Sequence, residues 1–293
     1  MKGVILAGGT GTRLQPLTSV VGKQLLPVYD KPMIYYPLST LILAGIDDVL
    51  IIVNPHELVI FESVLGDGSK FGISIQYKVQ IRPSGLADGV GLAREFVGTD
   101  SKFMFILGDN LFFGPAFGTN LENLFDNDGA TIVSYRVANP HEYGVVEYDK
   151  DGRIQNLVEK PERPLSNWAI PGIYVLDQLA FKFLPSIKPS PRGELEIIDL
   201  LLAYLSIGKL SSIRSSRGNA WFDLGTPDSI LSASVFISNI QSRQGMLVGS
   251  PEESALVKGR MSAENLRNLI KDLPECSYRN ALREVLAVYV FQE

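Results

Sequence analysis

The sequence is poor in the residues that build stapled or metal-cored folds. Of 293 residues one is cysteine, Cys276, and two are histidine, His56 and His141. A single cysteine excludes an internal disulfide framework and a cysteine-rich metal site. The two histidines have no partners at metal-ligand spacing. With no Ser-His-Asp order and no activated cysteine, nothing in the chain points to a covalent intermediate. No apolar run approaches the length of a membrane span, and Lys2 opens on a strand-like segment rather than a signal peptide, so a cytoplasmic location is expected. Positive charge is scarce too, with 27 Lys and Arg against 32 Asp and Glu and a net charge of −5. That balance argues against general nucleic-acid binding, which needs a basic face, but it admits a nucleotide, which needs only local charge. Repeats of fixed period and low-complexity segments are absent. What remains, 45% hydrophobic and 20% charged, is ordinary globular composition, long enough for one large α/β domain or two small ones.

The informative stretch is residues 1–27, MKGVILAGGTGTRLQPLTSVVGKQLLP. Its apolar run Val4-Ile5-Leu6-Ala7 has the length and composition of a buried parallel strand. Gly8, Gly9 and Gly11 follow, interleaved with Thr10 and Thr12, and then comes Arg13. Glycine permits positive φ and close approach of a ligand to the backbone, so consecutive amides can converge on an anion. With Arg13 and Lys23 adding fixed charge, the turn reads as a phosphate site; a tight turn with solvated charges is the plain alternative. Two familiar phosphate loops do not fit. The P-loop needs Lys followed by Ser or Thr, which is missing here, and the dinucleotide fingerprint needs glycine where Leu14 stands.

Further along, apolar runs alternate with amphipathic stretches, the βαβ rhythm of a mostly parallel sheet. Helices are expected over 32–44, 57–65, a stretch ending near 96, 193–205 and 227–241. Strands are expected over 49–53, 73–79, 103–107, 130–137 and 168–175, with a further extended segment ending at Asp223. Segments 145–148 and 153–158 flank Asp149-Lys150-Asp151-Gly152 and read as a hairpin. Each early strand ends in a functional-looking turn, and that carboxyl edge is where open α/β sheets bind ligands. Asp109 leaves such a strand near the glycines. Its expected task is to hold Mg²⁺, a hard cation that takes carboxylate and phosphate oxygens. Judged alone, Gly108-Asp109-Asn110 is equally a turn or a cap, Asp223 a helix N-terminal residue, and Glu159-Lys160 a solvated turn.

The run G-G-T-G-T-R-L-x-P-L-T, with K-Q-L-L-P beginning ten residues after the arginine, resembles the signature of the sugar-nucleotide pyrophosphorylases. Within them, K-Q-L-L-P-V-Y-D-K-P-M-I-Y-Y-P-L at 23–38 closely resembles the glucose-1-phosphate thymidylyltransferase branch, and matches continue to about residue 250. The resemblance implies a Rossmann-like, mostly parallel central sheet flanked by helices, of nucleotidyltransferase or GT-A type, with a smaller β-rich sugar-binding part. It implies a catalytic body over 1–245, nucleotide-binding over about 1–128 and sugar-phosphate-binding over about 129–226. In that body Gly8, Gly9, Gly11, Thr12, Arg13, Lys23, Gln24 and Asp109 would bind the nucleotide, with Gln80 and Gly85 recognising its base. Asp109 and Asp223 would hold Mg²⁺. Tyr143, Gly144, Glu159, Lys160, Ile170 and Arg192 would take the sugar phosphate, and Arg13, Lys23, Asp109, Lys160 and Asp223 would carry the chemistry.

The implied reaction condenses dTTP, or alternatively UTP, with glucose 1-phosphate to give dTDP-glucose and pyrophosphate, the entry to dTDP-sugar synthesis. A catalytically silent nucleotide-sugar-binding regulator is the rival from another class; Arg13, Lys23, Asp109 and Asp223 together count against it. A glycosyltransferase would usually present Asp-x-Asp, whereas Asn110-Leu111 follow Asp109. The chain departs from the family pattern at Leu224, Ile81, Pro171 and Asp88-Gly89. Residues 246–293 are expected to be a helical extension, with capping signals at Ser250 and Ser262. Leu266, Leu269, Ile270 and Leu273 give it one apolar face, to be buried on its own body or on another subunit. The resembling enzymes form homotetramers and answer to dTDP-sugars at a second site, so assembly or feedback is the expected role.

Overall fold

The computed structural model describes residues 1–99, 102–117 and 121–292. Strand β1 (Lys2–Leu6) is covered on both faces, with Val4 and Leu6 in one hydrophobic layer and Ile5 in the other. That is why its sequence is uniformly apolar rather than alternating. A short hairpin, β2 (Pro27–Val28) and β3 (Lys31–Pro32), precedes the next sheet strands. Strands β4 (Asp48–Val53), β5 (Ser74–Val79) and β6 (Lys102–Leu107) join β1 in parallel, in the order β6-β1-β4-β5. The two-residue step after β6 leads straight into β7 (Asn110–Phe113).

The second half of the chain extends the same sheet with β8 (Ala130–Arg136), β9 (Gly144–Tyr148), β10 (Ile154–Glu159), β11 (Trp168–Ala169), β12 (Ile173–Asp177) and β13 (Leu210–Arg214). Strand β12 runs antiparallel between β6 and β8, so one continuous sheet underlies both halves. Strand β14 (Ala220–Asp223) instead pairs antiparallel with β7 in a separate ribbon.

Helices α1 (Tyr35–Leu43) and α2 (Leu58–Leu65) pack on one face of the sheet, and α3 (Leu86–Leu92), α4 (Arg94–Val97), α5 (Leu179–Phe183) and α6 (Ile197–Ser206) on the other. Helix α7 (Pro227–Gln244) starts on a capping box between Thr226 and Ser229 and packs with the β2–β3 hairpin. Helices α8 (Pro251–Val257), α9 (Ala263–Asp272) and α10 (Ser277–Gln292) complete the chain. Among the described residues no helix is long and apolar enough to cross a membrane.

Two departures from the expected elements shape the site. The strand over 168–175 is broken at Ile170-Pro171-Gly172, because Pro171 has no N–H to give and the Gly172 N–H turns to Asn110 Oδ1 at 3.3 Å. The helix over 193–205 begins only at Ile197; Gly193 is left-handed (φ 77°) and Glu196 is extended (φ −77°, ψ 139°). Residues 192–196 are thereby a loop that can reach the sheet edge.

The C-terminal helices pack on the body itself. Leu247, Leu256, Leu266, Ile270 and Leu282 share one hydrophobic cluster with Ile5, Val49 and Leu41. Gly249 (φ +68°) lies so close to Tyr36 that a Cβ there would fall 2.2 Å from Cδ1 of the ring. Lys31 ties the hairpin to the same region: its buried ammonium donates to the Val248 carbonyl (3.0 Å) and Gln241 Oε1 (3.3 Å), under the Tyr36 and Tyr278 rings. Both expected caps form, with Ser250 and Ser262 hydroxyls accepting from the Glu253 and Asn265 amides.

Glu253, in this seam, gives the fold a pH dependence. Burial pushes its carboxyl from 4.5 to about 7, although the Leu247 N–H at 2.7 Å and Lys31 pull the other way. Between those values the folded chain holds a proton that the unfolded chain has lost, so stability falls as pH rises through the window. The loss is on the order of 2–3 kcal/mol. Urea titrations at pH 5 and pH 8 should show it, and Glu253→Gln should abolish that share of the difference. An identical difference in wild type and Glu253→Gln would assign the pH dependence to other groups.

Candidate active site

The glycine turn after β1 is held from behind by the ends of its neighbours. Gly9 (φ 115°) and Gly11 (φ 59°) adopt conformations that side chains resist. Asn54, beyond β4, donates to the Gly9 carbonyl at 2.9 Å and accepts from its amide at 3.4 Å. Gln24 donates to the Gly8 carbonyl at 3.4 Å, and its own Oε1 is a buried acceptor with no partner among the described residues.

The β7–β14 ribbon brings the two distant aspartates together. Its register sets Asp223 opposite Asn110, and the Leu224 amide donates to the Asp109 carbonyl at 2.9 Å. Asn110 is the knot of this region. Its Oδ1 accepts from Trp221 Nε1 (2.6 Å) and the Gly172 amide (3.3 Å), while its Nδ2 donates to Asp109 Oδ1 (2.9 Å). Lys23 forms an ion pair with Asp109. Arg13 arrives from the glycine turn: a Cβ at Gly225 would lie 2.7 Å from Arg13 Nη2 and 3.1 Å from Asp223 Oδ1.

The two carboxyls titrate apart. Burial pushes Asp109 upward, but the Lys23 ammonium and the Asn110 amide outweigh it and hold the group below its ordinary value. Asp223 is pushed up, by burial first and then by the charge of Asp109, with Lys23 and Arg13 offsetting only part. The charge of one carboxylate thus raises the other, and a cation shared between them would relieve that repulsion.

On the far side, Tyr143 packs on the Trp221 ring at 4.9 Å between centroids. Gly144 leaves little room beside it: a Cβ would meet Ile198 Cδ1 at 2.9 Å and Glu159 Oε2 at 3.2 Å, so a side chain there would push both aside. Burial raises the Glu159 carboxyl, which Lys160 partly offsets. Lys160 sits at φ +43° directly before Pro161, a strained setting for a side-chain-bearing residue, with its amide donating to the Tyr143 carbonyl at 3.1 Å. Strain of this kind concentrates at functional positions. Arg192 makes two 2.9 Å bonds to Glu196 and reaches Glu159 at 3.3 Å, so its guanidinium organises the acidic side of the cavity.

One cavity of about 530 Å³ gathers Gly8, Gly9, Gly11, Thr12, Arg13, Lys23, Gln24, Asp109, Tyr143, Gly144, Glu159, Lys160, Ile170, Arg192 and Asp223. Gln80 and Gly85 stand outside its lining. Gln80 is buried immediately behind Gly8, and Gly85 packs on the Leu195 backbone, where a Cβ would approach to 2.4 Å. Leu224 is fully buried in the α7 cluster, and Ile81 is exposed. Asn110 and the Trp221 platform were not singled out from the sequence. Their signal was present in Gly-Asp-Asn and Trp-Phe-Asp, but their roles need the β7–β14 pairing.

Residues 2–240 match the family model described as nucleotidyl transferase. The chain belongs to the nucleotidyl transferase family. A glucose-1-phosphate thymidylyltransferase of Mycolicibacterium smegmatis is 47% identical to this nucleotidyl transferase over 98% of the chain and 99% of the relative. One of Xanthomonas campestris is 50% identical over 94% of each. A Bacillus anthracis structure in complex with sucrose, provisionally named as the same enzyme, superposes with TM-score 0.75 at 39% identity, covering 80% of this chain and 94% of that one. A UDP-glucose pyrophosphorylase complexed with UDP-glucose, at TM-score 0.71 and 23% identity over 81% of this chain and 98% of that one, shares the fold.

Members of such a family work with a divalent metal, and the donors in this nucleotidyl transferase suit one. Asp109 and Asp223 offer hard oxygens that act on each other electrostatically within one cavity. Among the described residues no group of three or more metal-ligating side chains exists. A two-carboxylate site fits a cation that takes its remaining ligands from phosphates and water rather than from a protein cage.

Proposed function

We propose that this nucleotidyl transferase condenses dTTP with glucose 1-phosphate, releasing pyrophosphate and dTDP-glucose, with Mg²⁺ held by Asp109 and Asp223. The observation that carries the reading is the convergence of three chemistries on one cavity: the glycine turn with Arg13, the aspartate pair, and the Tyr143–Lys160 side. Curated relatives of that name, near half identity over almost the whole chain, support it. Bound Mg²⁺ would neutralise charge on the α-phosphate. The chain's own residues do the rest by position and electrostatics. The turn amides and Arg13 cradle the departing pyrophosphate. Lys23 is poised to exchange Asp109 for a nucleotide phosphate, and with Lys160 it draws two mutually repelling anions together. A general base is unnecessary, because a phosphate monoester oxygen is already anionic. Glu159 takes sugar hydroxyls, oriented by Arg192, and the free acceptor on Gln24 awaits a nucleotide donor.

The domain division into 1–128, 129–226 and 246–293 belongs to the proposal, as do a cytoplasmic setting, homotetramer assembly and feedback by dTDP-sugars. Assembly is supported by Leu231 and Val235 of α7, exposed near Tyr29, whose amide donates to the Ser234 hydroxyl.

Purified protein with Mg²⁺, dTTP and glucose 1-phosphate should release pyrophosphate, and EDTA should stop it; UTP in parallel reports the base preference. Failure with every pyrimidine triphosphate would leave a silent nucleotide-sugar-binding protein. Lys160→Met should raise KM for glucose 1-phosphate by roughly tenfold or more while KM for dTTP moves far less, since one charge-assisted contact is lost on one substrate. Equal shifts in both constants would take Lys160 away from the sugar phosphate.

A further inference from the structure

Two side chains outside the cavity lining, Asn54 and Glu57, stand behind the glycine turn, and both are almost fully buried. They meet because the chain turns back after β4, with the Glu57 amide donating to the Asn54 carbonyl at 3.1 Å. The Asn54 side-chain nitrogen gives one hydrogen to the Gly9 carbonyl (2.9 Å) and the other to Glu57 Oε2 (3.0 Å). Its oxygen accepts from the Gly9 amide at 3.4 Å. Two acceptors face one nitrogen, so the amide has a single workable sense; turned over, it would set oxygen against oxygen twice. Glu57 in turn is wedged. Its Oε1 lies 2.2 Å from where a Cβ on Gly22 would stand, and Gly22 is close to polyproline II (φ −56°, ψ 148°), a conformation open to any residue. Glycine there provides room for the carboxylate rather than freedom for the backbone.

The consequence falls on the next peptide. A trans peptide is planar, and its carbonyl and N–H point opposite ways. The Gly9–Thr10 bond is trans, so a Gly9 carbonyl drawn back onto Asn54 turns the Thr10 N–H away from it. Thr10 lines the cavity, and among the described residues its N–H has no hydrogen-bond partner. A donor held in one direction beforehand serves an anion better than a loose one, because nothing has to reorient when charge arrives.

We propose that Asn54, braced by Glu57, is a positioning residue that aims the Thr10 amide at the departing pyrophosphate. This rests on the proposed nucleotidyl transfer and names what keeps its phosphate turn in shape. Neither side chain touches substrate; both act through the Gly9–Thr10 peptide.

The probe is inorganic pyrophosphate with Mg²⁺, whose binding, read by calorimetry, needs neither base nor sugar. Asn54→Ala should weaken it by roughly tenfold or more, the size of one lost hydrogen bond to a charged group. It should also raise KM for dTTP while KM for glucose 1-phosphate moves far less. Alone, this variant leaves the Glu57 carboxylate buried without its donor and should melt lower. The double variant Asn54→Ala/Glu57→Leu replaces both polar partners and should melt close to wild type. It should nevertheless bind pyrophosphate as weakly as Asn54→Ala. Since the double variant carries one negative charge fewer, repulsion cannot account for that loss. Pyrophosphate binding at wild-type strength in the double variant overturns the proposal, as does an equal rise of both KM values in Asn54→Ala. A protein that makes dTDP-glucose while its pyrophosphate affinity ignores Asn54 loses this inference and keeps the enzymatic reading. One whose pyrophosphate affinity falls with Asn54 but that makes no product does the reverse, and one that binds no pyrophosphate overturns both.

Discussion

Asp109→Asn and Asp223→Asn are each expected to lower kcat by about a hundredfold or more, with much smaller effects on thermal stability. The size follows from the proposed metal role, since a transition-state contribution would be lost rather than a binding contact. The stability side follows from the same geometry. Asp223 is a buried carboxyl raised by desolvation and by its neighbour's charge, so removing its charge relieves a cost. Asp109→Asn differs because it strands Lys23, whose ammonium is paired with that carboxylate. Asp223→Asn should therefore melt at or above the wild-type temperature, and Asp109→Asn somewhat below it. Near-normal kcat in Asp223→Asn would remove that residue from the metal. A large drop in melting temperature for the same variant would show the ribbon, rather than the cation, to be what the carboxylate serves.

Truncation after Gln244 is expected to give insoluble protein, or one melting at least ~10 °C lower. Leu247, Leu256, Leu266, Ile270 and Leu282 would be lost from the cluster they share with the sheet. At roughly 1.5–3 kcal/mol for each buried side chain, that sum rivals the whole 5–15 kcal/mol stability of a folded protein. Helix α1 would be stripped on the side where Ser39 now bonds Ser250 and Tyr36 meets Gly249. Circular dichroism melts decide the matter. A truncated chain melting within a few degrees of the full one would mean that α1 can close its own surface, and that the extension serves something other than the core.

The apolar strands and the glycine turn were legible because both depend on residue type over short distances. β1, β4 and β6 announce themselves as unbroken hydrophobic runs, and Gly9 and Gly11 stand where the backbone needs positive φ. β13, half-buried with two serines, carries almost no such signal, and β7 follows β6 too closely to look like a separate strand. The meeting of Asp109 with Asp223 was not legible from spacing at all. It depends on the pairing of β7 with β14, a long-range event that local pattern does not encode, and it was reached only through resemblance. The expected helix over 193–205 failed at its start for a local reason, the left-handed Gly193 followed by an extended Glu196.

Asn110 has a consequence for how the cavity responds to its ligands. Both lone pairs of its oxygen are taken, by an indole and by a backbone amide, and its nitrogen holds Asp109, one of the two carboxylates proposed to hold the cation. The wall that Tyr143 leans on and that carboxylate thus share a single planar group, which cannot rotate for one without disturbing the other. Linkage is reciprocal: on the proposed function, whatever a sugar did to that plane on one side would be felt as a change in cation affinity on the other, and by the same factor in return. Trp221 is in this sense part of the surroundings of the proposed cation site.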